Sequence, residues 1–183
     1  MDGSNANFVV LDRDGVINEN LPGSVCSPEE FSLLPGAAEA IATMHRMGYR
    51  VLVATNQACV GRGKLTASGL EAIHDKMRDT IGRVGGRITS VYVCPHTDED
   101  RCECRKPRSG LLNQARREFA FDPATTWMVG DSIRDIEAAA AAGYRQALVR
   151  TGNGKESVVG KEVPVFDDLM QFVRELANLR EIR

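Results

Sequence analysis

Residues 8–15 have the sequence FVVLDRDG, in which four apolar residues lead into aspartates at positions 12 and 14. The apolar run predicts a buried strand that ends at the first aspartate. Open α/β sheets bind ligands in the crevice beyond the carboxyl ends of their strands, so both acidic side chains can face one site there. One carboxylate can attack an electrophile while the other moves protons. The alternative interpretation is a polar strand end with a turn at Gly15.

Polar groups follow apolar runs at other places along the chain. Thr55 and Asn56 follow a second apolar run, Asp131 follows a later one, and Asp135 comes four residues after it. Lys106 precedes a segment with helical character. The order is therefore an acid pair, a hydroxyl, a lysine and a second acid pair, and three of these four groups lie at predicted strand ends.

Predicted strands alternate with predicted helices from one end of the chain to the other. The predicted strands are residues 8–11, 51–55, 88–93, 125–129, 147–149 and 163–166. The predicted helices are residues 35–47, 66–84, 109–119, 133–142 and a last one from 167 onward. This alternation predicts an α/β fold, a Rossmann-like and mostly parallel sheet with helices on both faces, in a single domain over residues 1–183. The polar segment 18–28 is predicted to form a flap near the first acid pair.

The composition argues against several classes of protein. The 183 residues include 23 basic and 25 acidic side chains, a formal net charge of -2, which offers no basic excess for nucleic acid or a membrane surface. No apolar run approaches the ~20 residues of a membrane span. Residues 1–5 lack the positive and apolar regions of a secretory signal. We therefore expect a cytoplasmic monomer that binds neither nucleic acid nor membrane.

Three of the five cysteines and one histidine lie close together in the segment 94–104. Three thiolates and an imidazole form a complete tetrahedral zinc set, so we expect Cys94, His96, Cys102 and Cys104 to hold a structural Zn²⁺. The odd number of cysteines also argues against a disulfide framework. Metal binding would supply the folding energy that this polar loop lacks. The alternative is a surface loop with reduced cysteines. His45 and His74 fall in predicted helices, and we expect them to be ordinary surface or hydrogen-bonded histidines.

Together these motifs resemble the haloacid dehalogenase superfamily of phosphohydrolases. The cysteine-rich loop joined to CRKP (104–107) is similar to the histidinol-phosphate and heptose-bisphosphate phosphatase branch, in which a small zinc loop takes the place of a large cap. The runs TNQ (55–57), GRGKLT (61–66) and VRTG (149–152) resemble the heptose-bisphosphate member. The short zinc loop is more like that of the histidinol-phosphate member.

The resemblance implies a Mg²⁺-dependent phosphatase that acts on a small phosphorylated sugar. The implied reaction removes the 7-phosphate of a heptose 1,7-bisphosphate through an aspartyl-phosphate, in the supply of heptose for lipopolysaccharide. Histidinol phosphate is the alternative substrate. A phosphoacceptor signalling domain is an alternative of another class, although there the acid pair and the acceptor normally lie on different strands. A zinc-ribbon nucleic-acid module is disfavoured by the near-neutral charge.

The same resemblance assigns roles to the acidic residues. Asp12 is the expected nucleophile, and Asp14 the expected proton donor and acceptor. Asp12, Asp131 and the backbone carbonyl of Asp14 are the expected Mg²⁺ ligands, and Asp135 is expected to support the metal site from behind or through water.

The basic and amide residues receive binding roles. Thr55, the backbone of Asn56 and Lys106 are expected to hold the transferring phosphoryl group. Arg62, Lys64 and Arg105 are candidates for binding a second phosphate. The alternative for Arg62 and Lys64 is an ordinary solvated turn.

Overall fold

A computed structural model describes residues 7–157, 160 and 162–181 of the chain. Its centre is a six-stranded sheet with the strand order β3-β2-β1-β4-β5-β6, and every neighbouring pair is parallel. The strands are β1 (Asn7–Leu11), β2 (Tyr49–Asn56), β3 (Ile88–Cys94), β4 (Trp127–Gly130), β5 (Arg145–Val149) and β6 (Val165–Phe166). The strand order reverses between β1 and β4, which creates a crevice beyond their carboxyl ends.

Helices cover both faces of this sheet, which confirms the predicted α/β fold. They are α1 (Ala37–Arg46), α2 (Ala58–Gly61), α3 (Ala67–Gly82), α4 (Gly110–Phe119), α5 (Ile133–Ala142) and α6 (Leu169–Glu181). Alternate residues of β1 point to opposite faces, as the pleat requires. Val9 and Leu11 pack in the core beneath α1, α3 and α6, whereas Phe8 and Val10 pack in the core beneath α4 and α5.

Several element boundaries differ from the predicted ones for local reasons. Helix α1 begins at Ala37 because Gly36 has a left-handed φ of 75° and lies outside the helix. Residues 123–125 form a single 3₁₀ turn, so β4 begins at Trp127. The short helix α2 was not predicted, because four residues are too few to show a helical period. Thr66 is the N-cap of α3, since its side chain accepts a hydrogen bond from the backbone N–H of Gly69.

The connections at the carboxyl ends of the strands contain the segments of functional interest. The predicted flap, residues 18–28, has no helix and no extended strand, and its Asn20 and Ser24 line the crevice. Between β3 and α4 the described chain has a loop in place of a separate cap. No helix among the described residues is long and apolar enough to cross a membrane. Residues 1–6, on which the expectation about a secretory signal depends, lie outside the described residues.

Candidate active site

The predicted site residues converge where the strand order reverses. Asp12 directly follows β1, and its backbone N–H extends the pairing with β4 by donating to the carbonyl of Val129 at 2.9 Å. Asp131 directly follows β4, and Thr55 lies near the end of β2. Because β2, β1 and β4 are parallel neighbours, their carboxyl ends bring these side chains to one crevice of about 360 Å³.

Three carboxylates and one ammonium group form the centre of the crevice. Asp12, Asp131 and Asp135 each offer one carboxylate oxygen, and these three atoms lie within 4.8 Å of one another. The Nζ of Lys106 lies 2.9 Å from Asp12 Oδ1 and 2.6 Å from Asp135 Oδ1, and it donates to the carbonyl of Ala54 at 2.7 Å. Lys106, Asp131 and Asp135 are all at least 98% buried. One buried ammonium therefore faces three acidic groups.

Burial and, after it, the imbalance of charge shift the pKa values of the cluster. Burial raises the pKa of Asp12 to about 8; Lys106 opposes that shift, and Asp135 and Asp131 add to it. Burial also raises the pKa of Asp131 to about 6. Burial alone would lower the pKa of Lys106, but the carboxylates of Asp12 and Asp135 outweigh it and raise that pKa. Among the described residues, the three carboxylates have only one ammonium to compensate their charge. Carboxylate oxygens of this kind are the ligands that a hard divalent cation such as Mg²⁺ prefers.

Local backbone geometry fixes the two acids that follow β4. Asp131 Oδ2 accepts a hydrogen bond from the backbone N–H of Asn153 at 2.7 Å. A Cβ atom at Gly15 would collide with the Asp131 carboxylate, and the φ of +88° at Gly15 also favours glycine. At the start of α5, the N–H and hydroxyl of Ser132 donate to Asp135 Oδ2 at 3.1 and 2.7 Å. These bonds hold Oδ2 of Asp135, and its other oxygen, Oδ1, contacts the ammonium of Lys106.

Asp14 lines the same crevice but lies outside the carboxylate cluster. Its carboxylate accepts hydrogen bonds from Asn18 Nδ2 at 2.8 Å and from Gln57 Nε2 at 2.7 Å. The Nη2 of Arg13 donates to both of its oxygens, at 2.8 and 2.9 Å. Sequence reasoning missed Arg13 and Gln57, both of which are fully buried. Both lie inside motifs quoted from the sequence, but the pattern of a single polar residue does not show which group it contacts.

The end of β2 is tied to the loop that carries Lys106. Thr55 Oγ1 accepts from Gln57 Nε2 at 2.8 Å. The side chain of Asn56 forms a reciprocal pair with the backbone of Lys106, donating to its carbonyl at 3.0 Å and accepting from its N–H at 3.1 Å. This pair joins the loop that carries Lys106 to the end of β2, and both Thr55 and Lys106 line the crevice.

The predicted thiolate cluster is assembled in the structure. The ligand atoms of Cys94, His96, Cys102 and Cys104 all lie within 4.8 Å of one another. The Sγ of Cys104 lies 3.2 Å from Cys94 Sγ, 3.4 Å from Cys102 Sγ and 3.2 Å from His96 Nδ1. Four such atoms around one point match the donor set and size of a tetrahedral metal site. The cluster ends two residues before Lys106.

Arginines surround the mouth of the crevice. Arg62 and Arg105 line it, as does Arg134, which sequence reasoning missed. Arg105 is held by Asp98, whose Oδ1 accepts from Arg105 Nε at 2.7 Å. Lys64 is exposed and is absent from the crevice wall, although Arg62, two residues earlier after α2, lines it. Arg134 occupies the first turn of α5, three residues after Asp131, and that spacing was the available signal.

Comparisons with known proteins agree with this arrangement. Residues 103–172 match the HAD-hydrolase-like family. The D-glycero-beta-D-manno-heptose-1,7-bisphosphate 7-phosphatase of Neisseria meningitidis serogroup A is 42% identical over 171 residues, 90% of this chain and 91% of that protein. The enzyme of the same name from Bordetella bronchiseptica is 40% identical over 173 residues, 92% of this chain and 97% of that protein.

A solved structure is similar over nearly the same length. It is the D,D-heptose 1,7-bisphosphate phosphatase from B. bronchiseptica, complexed with magnesium and phosphate. The TM-score is 0.92 at 38% identity, and the match covers 94% of this chain and 99% of that chain. The similarity therefore includes both the sheet and the connections that form the crevice.

The raised pKa of Asp12 predicts how stability depends on pH in magnesium-free buffer. The carboxyl group has an ordinary pKa of 3.8 when unfolded and about 8 when folded, so the folded state binds more protons between these values. The free energy of unfolding should therefore fall as pH rises from 5 to 8. Relative to Asp12→Asn, which removes the titrating group, the wild type should lose on the order of 1 kcal/mol per pH unit. Urea unfolding at several pH values measures this, and parallel profiles for the two proteins would contradict it.

Proposed function

Because the chain belongs to the heptose-1,7-bisphosphate 7-phosphatase family of haloacid dehalogenase-like hydrolases, we propose that it removes the 7-phosphate of D-glycero-D-manno-heptose 1,7-bisphosphate. The family resemblance of the sequence motifs is confirmed, and the chain is a phosphomonoester hydrolase. The observation that carries the proposal is the buried cluster of Asp12, Asp131, Asp135 and Lys106 beneath a rim of arginines. The product would supply heptose for lipopolysaccharide. The cytoplasmic location and the monomeric state stay predictions.

The proposed reaction has two steps. A carboxylate oxygen of Asp12 attacks phosphorus, and the bond to the sugar oxygen breaks as Asp14 gives that oxygen a proton. Asp14 then takes a proton from water, whose oxygen attacks the aspartyl-phosphate and releases inorganic phosphate. The second step restores both carboxyl groups to their starting protonation states. Asp12 and Asp14 line the same crevice, which supports this division of work.

The charge of the transferring phosphoryl group is balanced by the residues around Asp12. Lys106, the Thr55 hydroxyl and the backbone of Asn56 hold its oxygens. Asp12, Asp131 and the backbone carbonyl of Asp14 would hold Mg²⁺, and Asp135 supports the site through its contact with Lys106. When bound, Mg²⁺ supplies positive charge that offsets the repulsion between a carboxylate nucleophile and a dianionic phosphate.

A structural Zn²⁺ is proposed at Cys94, His96, Cys102 and Cys104. All four protein ligands fill a tetrahedral set, so no position is open for water, and the metal would act on the fold of the loop. That loop leads directly into Arg105 and Lys106. Zinc would therefore position these two side chains without touching the substrate.

Removing one thiolate should test the zinc assignment. Protein purified without added zinc should contain about one zinc per chain, and Cys102→Ser should lose most of it. The variant should also have a lower Tm and lower kcat/KM, because the loop that carries Lys106 loosens. Cys26→Ser, outside the cluster, is the matched control and should retain zinc. Elemental analysis measures the metal, and a zinc-free protein with full activity and normal Tm would contradict the assignment.

The second phosphate of a bisphosphate would meet the arginine rim. Arg105 and Arg62 are the predicted contacts, and the position of Arg134 on the crevice adds a third. Arginine binds phosphate through charge-assisted and often bidentate hydrogen bonds. Lys64, which lies off the crevice wall, contributes charge at a distance. Histidinol phosphate, the alternative substrate, has no second phosphate to use this rim.

Phosphate release from a substrate panel tests the proposed function. We expect the heptose 1,7-bisphosphate to be hydrolysed with a far higher kcat/KM than histidinol phosphate or simple phosphomonoesters. Arg105→Ala should lower kcat/KM for the bisphosphate by roughly 10–100-fold, while simple monoesters lose much less. Lys64→Ala is the matched control and should change little.

Two results would contradict the proposal. Equal losses on both substrate types in Arg105→Ala would mean that Arg105 serves the reacting phosphate or the fold. A clear preference for histidinol phosphate would overturn the heptose assignment.

Asp12→Asn, assayed in parallel, should release no phosphate above background, because an amide cannot serve as the anionic nucleophile.

A further inference from the structure

A buried arginine and a buried histidine lie behind the proposed proton-transfer residue. Arg13 has no exposed surface, and His74 on α3 is 1% exposed. Neither residue lines the crevice, whereas Asp14, which contacts Arg13, does. A charged guanidinium is costly to bury unless its N–H groups and its charge are paired. The groups that pair with Arg13 therefore indicate why a charged side chain is buried at this position.

The two sides of the guanidinium have different partners. On one side, Nη2 donates to both oxygens of Asp14 at 2.8 and 2.9 Å, and Nε donates to Oδ1 at 3.2 Å. On the other side, Nη1 lies 3.4 Å from Nε2 of His74. Arg13 thus connects His74 on helix α3 to the carboxylate of Asp14, which lies beyond the carboxyl end of strand β1.

The histidine is suited to accept this contact. Burial and, to a lesser extent, the neighbouring Arg13 charge together lower the pKa of His74 to about 4, against the opposing effect of Glu71, so the ring is neutral at physiological pH. Its Nδ1 lies 3.7 Å from Glu71 Oε2, which favours the tautomer with the hydrogen on Nδ1. In that tautomer Nε2 has a free lone pair directed at Arg13. The half-buried side chain of Arg78 donates to Glu71 Oε1 at 2.7 Å.

We propose that His74 is a positioning residue for the phosphatase reaction: it fixes the guanidinium of Arg13, which in turn fixes the carboxylate of Asp14. The inference rests on the proposed function, in which Asp14 moves protons. Gln57 and Asn18 hold the same carboxylate from other directions, so the role of His74 is to set the angle of the bidentate contact. Displacing a reacting group by about 1 Å can cost up to roughly 100-fold in rate.

The test replaces the acceptor at position 74. His74→Leu removes it, whereas His74→Gln keeps an acceptor at the same distance along the side chain. Met77→Leu, a volume-conserving change at a buried position on the same helix, is the control for packing. His74→Asn, whose shorter amide cannot reach Arg13, replaces His74→Leu if the latter does not fold. Tm is measured for every variant.

Two substrates separate positioning from a general loss of structure. Cleavage of the sugar bisphosphate needs a proton from Asp14, whereas cleavage of an aryl phosphate releases a phenolate that needs none. In single-turnover experiments, His74→Leu should slow the first step about tenfold on the sugar bisphosphate and much less on the aryl phosphate. KM should change little. His74→Gln and Met77→Leu should stay close to the wild type on both substrates.

The outcomes distinguish this inference from the proposed function. An unchanged rate in His74→Leu, an equal loss on the two substrates, or a His74→Gln variant as slow as His74→Leu would overturn the positioning role alone. A wild-type enzyme that does not hydrolyse the heptose bisphosphate would instead overturn the proposed substrate.

Discussion

The buried contact of the Lys106 ammonium with the carboxylates of Asp12 and Asp135 is the interaction on which the site depends. Lys106 Nζ lies 2.9 Å from Asp12 Oδ1 and 2.6 Å from Asp135 Oδ1, so three separate parts of the chain meet at one point. Removing one partner from a buried pair of this kind typically costs about 3–5 kcal/mol, because a charge is left uncompensated. The reversal of strand order between β1 and β4 and the loop from the cysteine cluster both serve to bring this ammonium into place.

The contact leaves the centre short of positive charge, and this shortage connects the structure to the chemistry. Asp131 adds a third carboxylate, and burial raises the pKa of both Asp12 and Asp131. A phosphate monoester would bring still more negative charge to the same place. The site therefore suits the binding of a divalent cation beside Asp12, as the proposed reaction requires.

The parts of the site that follow from local sequence could be predicted, and the parts that depend on distant pairing could not. Asp12, Thr55 and Asp131 were identified because each follows an apolar run, and parallel strands bring such positions together. The cysteine cluster was identified by its spacing. Arg13 was missed because a charged residue between two aspartates is normally expected to face solvent. In the structure its side chain is buried and contacts His74, 61 residues away in the sequence. Lys64 was included for its charge and its motif, but in the structure it is exposed and lies off the crevice wall.

Asp12 forms a covalent bond to phosphorus in the proposed reaction, and trapping the phosphoenzyme tests this step. With an aryl phosphate, whose phenolate needs no proton on leaving, Asp14→Asn should slow hydrolysis of the aspartyl-phosphate more than its formation. A single turnover of this variant in excess over the aryl phosphate is quenched in acid, and its peptides are analysed by mass spectrometry. We predict one phosphate on Asp12, in proportion to the phenol released. Phenol released with no phosphate on Asp12, or with phosphate on another residue, would contradict the covalent mechanism.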